Sequence, residues 1–260
     1  MLFTEPYDTA PQMYAVETRS LQKDFAGFRA VNGVDLRLET GQIHALVGPN
    51  GAGKTSLFNM LTGFLRPTSG QVLLFGADVT GRRPDQIAKL GVARSFQITS
   101  LFEELTAIEH VALALQSRTA LGYGFWRDEA TLRRFDEPAR ALLEQVALGE
   151  VAGHSARHLP YGRKRALELA LALALEPRLL LLDEPTAGMS AEDVKRTIAL
   201  IARLREGRTI VLVEHNMGVV GELADNVIVL QQGRVIAQGP YATVRSDPAV
   251  ISAYLGRVDA

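Results

Sequence analysis

Apolar positions along this chain fall into short blocks separated by glycine and polar turns, and the period changes from block to block. Ile43-His44-Ala45-Leu46-Val47 has the length and make-up of a buried strand, and Gly48 opens the turn after it. Beyond Lys54, the residues Leu57, Met60, Leu61 and Phe64 share one face at helical spacing, with Gly63 near the helix end. Residues 71–75 read as a strand that runs into a turn at Gly76. Residues 102–148 change texture to helical patches rich in Ala, Leu, Arg and Glu, broken by Gly122-Tyr123-Gly124, and read as a helical insertion. Strand signals return at 179–182, 210–213 and 227–230. A hairpin is expected across Gln232-Gly233 with 234–237 as its second arm, and a short helix at 247–255. Strands alternating with helices predict a mainly parallel α/β core. Residues 1–13 carry Pro, Asp and Thr and read as a loose arm.

The most apolar stretch, residues 166–182, is interrupted by Glu168, Glu176, Pro177 and Arg178, so it reads as a buried helix and a buried strand rather than a membrane span. The first thirteen residues have neither the basic start nor the apolar run of a secretory signal. Composition narrows the chemistry further. With 28 basic and 29 acidic residues the net charge is −1, which lacks the basic surplus of a nucleic-acid binder. The absence of cysteine excludes a thiolate nucleophile, a disulfide framework and a cysteine metal site. The 260 residues suffice for one large domain with a substantial core.

The sharpest motif is Gly48-Pro49-Asn50-Gly51-Ala52-Gly53-Lys54-Thr55, which fits G-x-x-x-x-G-K-[ST] between a predicted strand and a predicted helix. Glycines let backbone amides wrap phosphate oxygens, and the following helix N-terminus favours an anion. Residues Gly48 to Thr55 together with Ser56 are therefore the candidate phosphate cradle, with Lys54 reaching the terminal phosphates and the Thr55 hydroxyl a magnesium ligand. A second motif, Leu179-Leu180-Leu181-Leu182-Asp183-Glu184-Pro185, is an apolar strand ending in two acids. Ligands collect at the carboxyl ends of parallel strands. Asp183 is thus a candidate magnesium ligand and Glu184 a candidate general base for water.

With these motifs in order, the chain from about Tyr14 to Leu255 resembles the nucleotide-binding subunits of ABC transporters. The resemblance implies a P-loop NTPase (RecA-like) α/β core with a mainly parallel sheet, an antiparallel β subdomain and a helical subdomain. It puts the ATPase domain at about 14–257 and the helical part at about 98–165. It implies that Gln97, in Ser95-Phe96-Gln97, senses the γ-phosphate and metal, that His215 is the switch histidine, and that Phe25 stacks on adenine, with Phe28 its rival. Leu159-Pro160-Tyr161-Gly162-Arg163 stands where the family signature belongs, so Tyr161 and Gly162 would meet ATP held by an opposite subunit. Three positions depart from the pattern. Pro160 stands for a serine, Arg163 for a glutamine, and Ser190 for the aspartate after Gly188-Met189.

The signature form, the run 183–189, Glu214-His215-Asn216-Met217 and the tail Ala253-Tyr254-Leu255-Gly256 resemble the branched-chain amino acid importer branch. That resemblance implies an ATPase using ATP and Mg²⁺, two membrane-spanning permeases, a second ATPase subunit (the same or different) and an extracytoplasmic substrate-binding protein. It implies a peripheral location on the cytoplasmic face of the inner membrane. Similar ATPases serve urea, amides and aromatic acids. A lipopolysaccharide exporter, a non-transport ABC protein and a P-loop kinase or GTPase are the other readings, with the signature and single-cassette length against the first two.

Overall fold

The computed structural model describes residues 13–95, 101–118 and 134–255. The expected arm before residue 13, the Gly122-Tyr123-Gly124 break and Gln97 lie outside the described residues.

Two sheets organise the chain. A four-stranded antiparallel sheet has the order β2-β1-β4-β5, from β1 (Tyr14–Phe25), β2 (Phe28–Glu39), β4 (Ser69–Leu74) and β5 (Ala77–Asp78). A six-stranded sheet has the order β10-β9-β3-β8-β7-β6. Its members are β3 (Ile43–Val47), β6 (Val92–Arg94), β7 (Leu179–Asp183), β8 (Thr209–Val213), β9 (Asn226–Gln231) and β10 (Arg234–Gly239). All its pairings are parallel except the β9–β10 hairpin. The expected P-loop fold with two β layers is therefore the observed one.

Every residue of β3, β7 and β8 is buried. The reason is that both faces of this sheet are covered, which is why β7 reads as an unbroken leucine run. Leu179 and Leu181 face the core shared with the antiparallel sheet and helix α1 (Lys54–Leu61), while Leu180 and Leu182 face the opposite core. That second core is closed by α5 (Tyr161–Ala174), α6 (Ala191–Leu204) and α7 (Met217–Leu223). Helices α3 (Ala107–Ser117) and α4 (Asp136–Gln145) pack on each other and on α5. The remaining helices are short: α2 (Pro84–Ala88), α8 (Tyr241–Arg245) and α9 (Pro248–Leu255). Among the described residues no helix is long and apolar enough to cross a membrane.

One expectation needs correcting. Phe64 does not continue the buried face of α1, and is 53 % exposed. The helix stops at Leu61. The Thr62 hydroxyl bonds back to the Phe58 carbonyl, and Gly63 turns the chain at φ +75° before Phe64 can reach the core.

Candidate functional site

Strands β3, β8, β7 and β6 lie side by side, and the chain leaves each of them into a segment carrying polar chemistry. After β3 comes the glycine loop. A Cβ at Gly48 would stand 2.2 Å from the Leu230 carbonyl oxygen, and one at Gly53 would stand 2.3 Å from that of Ala30. Both have positive φ, +149° and +101°. These glycines are thus required by close backbone approach as well as by conformation. The Ala52 carbonyl accepts from Gly233 N at 3.0 Å, so the β9–β10 turn braces the back of the loop. No side chain caps α1 and no acid sits in its first turn, which leaves its amides to an outside anion. Lys54 Nζ folds back to donate to the Gly48 and Pro49 carbonyls at 2.7 and 3.1 Å. Burial pulls its ammonium below the ordinary lysine value, against the opposing influence of Glu184 and Asp183. Asn50 and Gly51 of the loop and Thr55 in the first turn of α1 are exposed.

After β7 come the acids. Asp183 is buried, and Arg94 Nη2 reaches its Oδ2 at 2.8 Å from the end of β6. Glu184 follows at φ +46°, a backbone conformation that costs a non-glycine residue about 1 kcal/mol. Its Oε1 lies 3.9 Å from Nδ1 of His215, whose ring is largely exposed. After β8 comes Glu214, 1 % exposed. Its Oε1 accepts from the Thr186 hydroxyl and amide at 2.5 and 3.3 Å, and its Oε2 accepts from the amides of His215 and Asn216 at 3.1 and 3.2 Å. Glu214 therefore ties the segment after Glu184 to the one carrying His215.

Two further groups come from other elements. Phe25 and Phe28 face each other across the β1–β2 hairpin and are both exposed, with Lys23 Nζ 5.0 Å above the Phe25 ring. Helix α5 starts with Pro160 at its N-cap and no side-chain cap. Tyr161 is exposed there, and its hydroxyl accepts from Arg165 Nε at 3.1 Å. Gly162 abuts the Asp193 carboxylate, where a Cβ would stand 3.0 Å from Cγ. Ser190 caps α6, accepting from Asp193 N at 3.2 Å and donating to its Oδ2 at 2.7 Å.

Sequence reasoning missed Arg94 and Glu214. Glu214 had a signal, since it ends an apolar strand as Asp183 does. Arg94 had none, because its partner is 89 residues away.

Residues 31–187 match the ABC transporter family, and residues 234–260 match the branched-chain amino acid ATP-binding cassette transporter family. This chain belongs to the ABC transporter family. It is 41% identical over 248 residues to the high-affinity branched-chain amino acid transport ATP-binding protein BraF of Pseudomonas aeruginosa, covering 93% of this chain and 97% of that one. It has the same identity and coverage with LivG of Escherichia coli, and 32% identity over 257 residues with a probable LivG of Archaeoglobus fulgidus, covering 95% and 97%. Among solved structures, a nucleotide-free ATP-binding cassette from an ABC transporter superposes with a TM-score of 0.83 at 28% identity, covering 94% of this chain and 100% of that one. An ABC cassette in its ADP conformation also gives 0.83 at 28% identity, covering 94% and 99%.

Proposed function

We propose that this ABC protein is the ATP-hydrolysing subunit of an importer for branched-chain or related amino acids. The observation that carries the reading is the convergence of the glycine loop, Asp183, Glu184 and His215 at the ends of adjacent strands. The cargo class rests on whole-length similarity to BraF and LivG.

The donor set fits Mg²⁺. Thr55 and Asp183 offer hard oxygens, and Arg94 already presents a cation to Asp183. Thr55 and Asp183 would hold the ion, and it would take its other ligands from nucleotide phosphates and water. When bound, Mg²⁺ neutralises phosphate charge. Residues 48–56 hold the phosphates, and Lys54 leaves the loop carbonyls for the terminal phosphate oxygens. Glu184 takes the proton of a water whose oxygen bonds to the γ-phosphorus as the bridging oxygen leaves with ADP. His215 holds the γ-phosphate and that water in line. Phe25 stacks on adenine, and Gln97 would join the metal and the permease contact.

Two cassettes close head to tail, with Tyr161 and Gly162 of one over the ATP of the other. The uncapped start of α5 leaves amides for that phosphate in place of the missing serine hydroxyl. The helical region at about 98–165 passes closure to two permeases at the cytoplasmic face of the membrane, with a substrate-binding protein on the other side. Equilibrium binding of ATP tests the core of this reading. The unmodified chain binds, and Lys54→Ala binds at least about tenfold more weakly, since it loses a charge-assisted contact to phosphate. No binding by the unmodified chain, or equal binding by both, overturns it.

A further inference from the structure

Arg94 is the group at this site for which the proposed reaction gives no role. It ends β6 and reaches across to two other elements. Its Nη1 donates to Asn59 Oδ1 at 2.6 Å and lies 3.4 Å from the Thr62 hydroxyl, both on or beside α1. Its Nη2 donates to Asp183 Oδ2 at 2.8 Å. The guanidinium carbon lies 5.0 Å from the Phe58 ring centroid and 5.7 Å from that of Phe64. The Arg94 side chain is 12 % exposed and that of Asp183 is 5 % exposed, so the pair is screened from solvent. Yet among the described residues Arg94 Nε, which is buried, has no acceptor.

A carboxylate this deep needs a compensating cation. We propose that Arg94 is a positioning residue that fills this need in the nucleotide-free protein, and that it gives up Asp183 when Mg²⁺ arrives. The guanidinium keeps the buried charge compensated and its carboxylate aimed from the β7 end toward α1. Two cations then compete for one carboxylate, so metal binding breaks the Arg94–Asp183 bond and leaves the side chain on its second anchor, Asn59. The pair thus raises the Mg²⁺ concentration at which nucleotide binds, and couples metal arrival to the end of β6, directly before Ser95. The inference rests on the proposed ATP and Mg²⁺ site.

The test is the binding of a fluorescent ATP analogue as a function of free Mg²⁺, without reference to turnover. Arg94→Met removes the competing charge, and the half-saturating Mg²⁺ falls about tenfold, a modest share of the interaction between charges at this separation. Arg94→Lys keeps a cation and stays within about threefold of the unmodified protein. An unchanged or higher Mg²⁺ requirement in Arg94→Met overturns the proposal. Should Arg94→Met not fold, a crystal structure of Glu184→Gln with MgATP decides. Arg94 beyond hydrogen-bond distance of Asp183 supports the role, and an intact pair beside bound metal contradicts it. Failure of the unmodified chain to bind the analogue at any Mg²⁺ concentration would instead remove the nucleotide site itself.

Discussion

The Thr186 hydroxyl donates a 2.5 Å hydrogen bond to Glu214 Oε1, and both residues are buried. One carboxylate thereby takes four donors from two loops, and those loops carry Glu184 and His215. Glu214 thus ties the backbone beside Glu184, the proposed base, to the backbone that carries His215.

Glu214→Gln keeps the side-chain shape but turns an amide NH₂ toward donors. We expect a stability loss of about 2 kcal/mol, from unpaired buried donors, measured by urea unfolding. We also expect hydrolysis to fall by about 10²-fold while ATP affinity stays within a few-fold, because small misplacement of catalytic groups penalises the reaction more than binding. Unchanged hydrolysis would show that the brace does not set the Glu184–His215 geometry.

Gly53 and Gly51 separate steric need from conformational need. Gly53→Ala drives a Cβ toward the Ala30 carbonyl, whereas a Cβ at Gly51, φ +80°, meets nothing within 4 Å. Gly53→Ala is expected to cost about 3 kcal/mol or more and to abolish nucleotide binding, and Gly51→Ala about 1 kcal/mol. Thermal or urea unfolding of the two variants checks the order.

The same contrast explains what was legible in the sequence. The glycine loop and the Asp183-Glu184 pair are local necessities of backbone and charge, so a single chain shows them. β7 shows itself as four leucines because both of its faces are covered. β1 and β2 carry no clear period of two in the sequence, because their pairing has four register irregularities and bulges break the alternation. Phe64 keeps the helical period of α1 in sequence, but the Gly63 turn takes it out of the helix. Arg94 acquires its role from partners brought in by the fold, and no local spacing announces it, whereas Glu214 stands at the end of an apolar strand as Asp183 does and only its partners are hidden.

His44 lies inside β3, fully buried. Its Nε2 meets the Glu39 carbonyl at 2.9 Å and its Nδ1 meets the Asn226 amide nitrogen at 3.4 Å, a neutral-ring arrangement. Burial pushes its pKa below 6.5, although the Glu39 carbonyl, Asp225 and the Glu39 carboxylate oppose the shift. The folded value is depressed, so the unfolded chain binds the proton more readily. The stabilisation is complete above about 6.5, the unfolded histidine value, and is lost as pH falls toward the folded value. Chemical unfolding at a series of pH values should show this acid-side loss, and His44→Gln should flatten it. An equal slope in the variant would assign the loss to other groups.

In the proposed reaction this chain hydrolyses MgATP with Glu184 as the base. The most direct measurement compares ATP binding and phosphate release for the unmodified protein and Glu184→Gln, each with its cassette partner. Glu184→Gln is expected to keep ATP affinity within a few-fold of the unmodified protein, to retain a cassette dimer in MgATP, and to hydrolyse at least about 10²-fold more slowly. Hydrolysis by Glu184→Gln at the unmodified rate would contradict it.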